Sequence, residues 1–315
     1  MAVAPWDIPQ VQDASLKVAF LNILTTYVWH KPDYNKEKFA HYNWEKRHPA
    51  IIELIGRERP AVLGLCELDL THAKTLQGEM QEGKALAGYQ LLGYSAETEE
   101  TIEATKRFED HDWKQYGEFV AFLVDTNRVE VTETRCHRLP SDPGQRWNRI
   151  LVEARLVDKA SQRTFAFLVS HFDHEKREAR DRSARFELGL IEAFEKEGTP
   201  WIAVGDRNWP PETGEQESHP YGTHPAVVDV RDETRLGCFG LSGTFIRKMQ
   251  PMTVDMVDTG YRSSRLTDGE VYYTRTGKYD PLRSRLVNDD AKTNQCVSDH
   301  LMFVTAIRLT MKGKV

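Results

Sequence analysis

Short apolar runs recur along this chain, and several stop abruptly at a polar residue with useful chemistry. Leu16 to Ile23 reads LKVAFLNI, a buried-strand pattern with Asn22 near its end. Ala61 to Leu65 stops at Cys66-Glu67, and Tyr89 to Tyr94 is strand-like. Glu118 opens EFVAFLVD, after which Asn127-Arg128 forms a hairpin turn into Val129 to Thr134. Ile150 to Leu156 is a strand, and Asp158 to Gln162 turns it into Phe165 to Val169, which ends in Ser170-His171-Phe172-Asp173-His174. Trp201 to Val204 ends in Gly205-Asp206-Arg207-Asn208. Between these last two runs, Phe186, Leu190 and Phe194 fall four apart with Ile191 beside them, giving one apolar helical face. That is strand, helix, strand, and in open α/β sheets catalytic groups gather beyond the strand ends.

The remaining pattern fills in around this unit. Residues 43–58 predict a helix whose main body follows Pro49, and Thr71 to Lys84 predicts another. Residues 96–116 form a long polar loop with a helical turn, and residues 138–148 a Pro/Gly loop. Later strands are expected at Val227 to Val230, Met252 to Val257 and Leu301 to Leu309, the last preceded by Ser298-Asp299-His300. Residues 262–296 are polar, rich in Arg and Tyr, and lack clear periodicity outside Glu270 to Tyr273. Nothing between the halves reads as a linker, so the expectation is a short extension at 1–15 followed by a single domain over 16–315, carrying an insertion at about 262–296.

Composition narrows the function classes. The 315 residues carry a net charge of −6, so no strong basic field favours nonspecific duplex nucleic acid. The four cysteines, Cys66, Cys136, Cys238 and Cys296, make no CxxC pair and no redox or zinc motif. The first residues show no secretory signal pattern, and no apolar run reaches membrane-spanning length. A cytoplasmic setting is the default expectation. His72 and His111 are expected at the surface.

Each strand-end polar residue alone has a plain explanation: Asn22 starts a turn, Glu67 is a surface charge, Asp206 closes an Asx turn. Their order is more specific. LNI at 21–23, CEL at 66–68, SHFDH at 170–174, GDRN at 205–208, VDMV at 254–257 and SDH at 298–300 together resemble the endonuclease/exonuclease/phosphatase superfamily, over roughly residues 16–310. The resemblance extends to a bacterial subgroup through Trp44-Glu45-Lys46-Arg47, Gly117-Glu118-Phe119, the HxDHxxxxAR pattern from His171 to Arg180, and Gly243-Thr244-Phe245. It implies the deoxyribonuclease-I-like α/β fold, a four-layer sandwich of two packed mixed β-sheets flanked by helices. The chain departs from the family pattern at Cys66 (usually Gln), at Arg207 (usually Phe or Leu), and in the late strand, where Asp258 competes with Asp255. Thr253-Val254-Asp255-Met256 stands where inositol-phosphate 5-phosphatases carry Trp-Cys-Asp-Arg, which lowers that particular assignment.

The resemblance also implies roles. Glu67 would hold Mg²⁺, with Mn²⁺ as a substitute, assisted by the amide oxygen of Asn22 and by Asp299. Asp206 would orient or deprotonate the attacking water, and Asn208 would hold water or phosphate. His171 and His300 would donate to the phosphoryl group, paired with Glu118 and Asp255 respectively, each carboxylate favouring the imidazolium. His174 is either a substrate contact or a polar residue at a helix start, and Arg180 either a phosphate ligand or part of a solvated helix face. The implied activity is a metal-dependent phosphoester hydrolase acting on a small or lipid-derived phosphorylated substrate. A nuclease with the same site is the alternative, with the Arg/Tyr-rich 262–296 segment as its candidate stripe, and a catalytically silent binding module is the second alternative.

Overall fold

The computed structural model describes residues 15–26, 43–107, 117–141, 147–208 and Pro220, and, as backbone alone, six later strands between residues 227 and 308. Asp299, His300 and His111 lie outside the described residues, and Asp255 is described by its backbone only. The elements are β1 (Ser15–Asn22), α1 (Trp44–Glu58), β2 (Val62–Leu68), α2 (Leu70–Glu79), β3 (Tyr89–Ser95), α3 (Ile102–Thr105), β4 (Phe119–Asp125), β5 (Val129–Arg138), β6 (Ile150–Asp158), β7 (Arg163–His171), α4 (Arg177–Glu197), β8 (Trp201–Asp206), β9 (Val227–Asp229), β10 (Ser242–Arg247), β11 (Val254–Asp258), β12 (Tyr272–Arg275), β13 (Lys278–Arg283) and β14 (Phe303–Arg308).

Two six-stranded sheets form, in the orders β11-β14-β1-β2-β4-β3 and β5-β6-β7-β8-β10-β9. Each contains one parallel pair, β1 with β2 and β7 with β8, and is otherwise antiparallel. Their inner faces meet in one core, where Val18, Phe20 and Phe122 pack with Val152, Phe165, Phe167 and Val204. Gly64 lets the sheets approach, since a Cβ there would collide with Val204. Helices α1 and α2 cover the outer face of the first sheet with Ile51, Leu54, Ile55 and Leu76, and α4 covers the second with Ala184, Leu188, Ile191 and Phe194. Helix, sheet, sheet, helix is the expected four-layer sandwich. No helix among the described residues is long and apolar enough to cross a membrane.

Helix α1 matches its expected span, and two other local expectations are corrected. Helix α1 starts at Trp44, five residues before Pro49, because the Asn43 side chain accepts from Glu45 N–H and caps it. Pro49 is tolerated because the carbonyl it leaves without a helical donor belongs to exposed Glu45. The buried stripe of α4 runs through Arg180, Ser183, Ala184, Glu187, Leu188, Ile191 and Phe194, while Phe186 and Leu190 flank it. His72 is buried rather than superficial. It sits in the first turn of α2, where its Nδ1 accepts from Asp69 N–H while Asp69 accepts from His72 N–H. This capping box uses an imidazole where Glu or Gln is usual. The aperiodic 262–296 segment contains the hairpin β12–β13.

Candidate active site

The two parallel pairs place the ends of β1, β2, β7 and β8 at one rim. Asn22 is in register with Cys66, and His171 with Asp206. An ordinary strand would not aim Glu67 at this rim. The β2–β4 pairing breaks register between Leu65 and Leu68, and Glu67 has a φ of 57°. A left-handed carboxylate residue inside a bulge is an uncommon conformation, and bulges of this kind re-aim a side chain. Two other rim residues share the left-handed region, Leu24 at 57° and Asn208 at 52°. Gly205 must be glycine for a different reason: a Cβ would run into the Ser170 carbonyl on the adjacent strand.

The result is a compact polar cluster. Glu67, His171 and Asp206 each offer a ligand atom, all within 4.8 Å of one another. The Asn22 amide Nδ2 donates to Glu67 Oε1 at 2.8 Å and to Asp206 Oδ2 at 3.1 Å, while Asn22 Oδ1 accepts from Leu24 N–H. Thus the carboxylates converge on a single positive end of a dipole, where a cation would also be stabilised. The two carboxylates, Glu67 and Asp206, fit a hard divalent ion such as Mg²⁺ or Mn²⁺, which takes oxygen ligands and leaves the imidazole free for another role. The Cys66 thiol beneath it does not add a soft ligand. Burial, then the carboxylates of Asp206, Glu67 and Glu118, push its pKa well up, so it stays protonated.

The rim loops are clamped to each other. Phe172 N–H donates to the Asp206 carbonyl, and Asn208 Nδ2 donates to the Phe172 carbonyl at 3.0 Å. Asp206 Oδ1 accepts from Asn208 N–H at 2.9 Å, so Asp206 closes an Asx turn with one oxygen and faces Asn22 with the other. Asp173 accepts from Glu175 and Lys176 N–H, bending the chain into α4. Arg180 is buried and reaches the Asp173 carbonyl, so it braces this bend and is no part of a solvated face. Arg47 is likewise buried and holds the carbonyls of Ile23 and Leu24, which fixes the exit of β1. That accounts structurally for the Trp44-to-Arg47 motif.

Arg207 stands out as a fully buried arginine between two rim residues. It follows directly after β8, and its side chain runs towards α4. There it meets Glu187 of α4 at 2.6 Å, and Glu187 also accepts from the Ser170 hydroxyl at 2.8 Å. A charged residue thus replaces the usual apolar one because α4 supplies its counter-ion. A glutamate on the buried stripe of α4 was the readable signal.

Sequence reasoning missed Arg149, the residue just before β6. Its buried guanidinium puts Nη1 2.8 Å from His171 Nδ1 and 3.2 Å from Glu118 Oε2, and Nη2 3.0 Å from His174 Nδ1. Glu118 Oε2 is also 3.3 Å from His171 Nδ1. Guanidinium only donates and carboxylate only accepts, so one Nδ1 cannot serve both at once. Burial opposes ionisation of Glu118, but the His171 hydrogen bond and the charges of Arg149 and the two histidines prevail and hold its pKa down at about 2. Burial and Arg149 hold the His174 imidazole below its usual range, which suits its accepting position.

No family model and no curated protein sequence matches the chain. Solved structures do. An endonuclease/exonuclease/phosphatase family protein from Bacteroides thetaiotaomicron superposes with a TM-score of 0.64 at 19% identity, over 95% of this chain and 100% of that one. The chain has the endonuclease/exonuclease/phosphatase fold. A mannosyl-6-phosphatase from the same organism superposes with a TM-score of 0.64 at 18% identity, over 93% of this chain and 99% of that one. D. rerio TDP2 complexed with a single-strand DNA product superposes with a TM-score of 0.57 at 15% identity, over 94% and 99%. One fold thus carries a sugar-phosphate phosphatase and a DNA-product complex, so the fold does not choose the substrate.

Proposed function

We propose that this chain is a Mg²⁺- or Mn²⁺-dependent phosphoester hydrolase acting on a small phosphorylated compound. The observation that carries the reading is the convergence of Glu67, His171 and Asp206 within 4.8 Å at the ends of three strands. Glu67, with Asp299 by the family resemblance, would hold the cation, which would supply charge neutralisation on the phosphoryl oxygens. Asn22, expected to lend its amide oxygen, instead gives that oxygen to Leu24 N–H and turns Nδ2 to Glu67 and Asp206, so it positions the two carboxylates. Asp206 orients the attacking water and accepts its proton through the oxygen that faces Asn22. Asn208 positions rather than binds, since its amide grips the Phe172 carbonyl. His171 presents Nε2 toward Glu67, 3.8 Å away, and is placed to donate to a phosphoryl oxygen. Glu118 orients that ring, and Asp255 would serve His300 in the same way. The net charge of −6 favours a small substrate over a nucleic acid.

The test is a panel of sugar phosphates, nucleotides, a phosphodiester and single-stranded DNA, with Mg²⁺, Mn²⁺ or chelator. Hydrolysis of a small monoester that needs metal and is lost in Asp206→Asn is the expected result. Preferred cleavage of DNA would replace the substrate class, and no hydrolysis of any substrate with either metal would overturn the reading.

A further inference from the structure

We propose that Arg149 binds the substrate phosphate directly, contacting non-bridging phosphoryl oxygens beside His171; the proposal rests on the hydrolase reading above. Three features of this arginine bear on that role. First, it is buried, yet among the described residues it reaches one carboxylate oxygen, Glu118 Oε2, through Nη1. Arg107, by contrast, takes both oxygens of Glu100. Second, its remaining contacts are ring nitrogens, His171 Nδ1 and His174 Nδ1, which bring no negative charge when neutral. Third, its Nε–H is buried without an acceptor among the described residues. A guanidinium has five donors in a planar fork suited to phosphate, and leaving a buried donor unmatched is costly.

The placement suits the task. Leu139 N–H donates to the Arg149 carbonyl, extending the β5–β6 pairing and fixing the backbone. The guanidinium then spans His171 and His174 on the flank of the cluster, with Nη1 also 3.4 Å from His171 Nε2, the nitrogen nearest Glu67. A phosphoryl group lying against His171 Nε2 would bring an oxygen within reach of Nη1. Moving Nη1 onto that oxygen would also leave His171 Nδ1 to Glu118 alone, which removes the conflict between a donor and an acceptor at one nitrogen.

The experiment measures binding of inorganic phosphate by calorimetry in the presence of Mg²⁺, alongside kcat and KM, for wild type, Arg149→Lys and Arg149→Gln, with thermal melting as the folding control. Loss of a charge-assisted donor pair should weaken phosphate binding by about 10- to 100-fold in Arg149→Gln. Arg149→Lys should lie between, since it keeps the charge and loses the fork. A merely bracing role would lower kcat while leaving phosphate affinity at the wild-type value, and that result in the folded Lys variant would overturn the proposal even if the Gln variant fails to fold. Failure of the hydrolase reading looks different: the wild type itself would neither bind phosphate nor hydrolyse any substrate of the panel.

Discussion

Replacing Arg207 by Leu should destabilise the chain far more than replacing both members of its ion pair. Arg207 and Glu187 are both fully buried and 2.6 Å apart. At an effective dielectric constant of about 20, that separation corresponds to an attraction of about 6 kcal/mol. Removing two charges from water costs several kcal/mol for each, so the intact pair contributes little net stability. Either half alone keeps its desolvation cost and loses the attraction. Arg207→Leu and Glu187→Leu should therefore each lose about 3–5 kcal/mol, and the double variant only about 1–2 kcal/mol. The Glu187 changes also remove the acceptor of the Ser170 hydroxyl, which sets the residual loss in the double variant. Urea unfolding followed by tryptophan fluorescence gives all four stabilities, and Trp201 in the core supplies the signal. Because the Arg207 side chain runs to Glu187 of α4, the double variant should keep its metal affinity. Two single variants each losing under about 1 kcal/mol, with the double equal to their sum, would refute the argument, because a pair that weak is not desolvated.

Other outcomes follow from the same geometry. Asp206→Asn keeps an oxygen for the Asn208 N–H, so it should fold, yet lose roughly 10²–10⁴-fold in kcat that added Mg²⁺ does not restore; Glu67→Ala should regain part of its activity in excess metal, as a titration of kcat against Mn²⁺ will show. Burial, then Arg47, lowers the His72 pKa from 6.5 to about 4 against the pull of Asp69, so only the unfolded chain takes up its proton in that window. Stability should be full above pH 6.5 and fall by about 3 kcal/mol as pH drops to 4. His72→Gln keeps a capping-box acceptor, so it should remove this loss in urea melts at pH 7 and 4.5; an unchanged loss would exclude His72 as its source. Glu118, depressed from 4.5 to about 2, contributes stability that is present above pH 4.5 and lost as pH falls toward 2. Glu118→Gln should flatten that lower window while reducing kcat more than metal affinity.

Much of the architecture was written in period and punctuation. Apolar runs of strand length and one long amphipathic helix marked the elements one by one, because burial of alternate faces is a local property of sequence. That they build two mixed sheets between helical layers was implied by the family resemblance of the strand-end motifs. The same local logic marked Asn22, Glu67, Glu118, His171, Asp206 and Asn208 as rim residues, and these six do gather at one edge. What sequence could not supply were decisions made between elements. Glu67 reaches the rim because β2 slips register against β4, and that slip depends on a partner strand more than fifty residues away. His72 is buried because Trp44 of another helix packs edge-on against its ring, 4.1 Å between centroids, which composition around position 72 does not reveal. Arg207 breaks the expected pattern until α4 brings Glu187 beneath it. Arg149 sits after a Pro/Gly loop with no motif around it, and only the packing of β4, β6 and β7 shows that one guanidinium faces Glu118, His171 and His174. Local pattern determines which residues are buried or exposed along one element; the partner that a buried charge meets is decided only when distant elements close on one another.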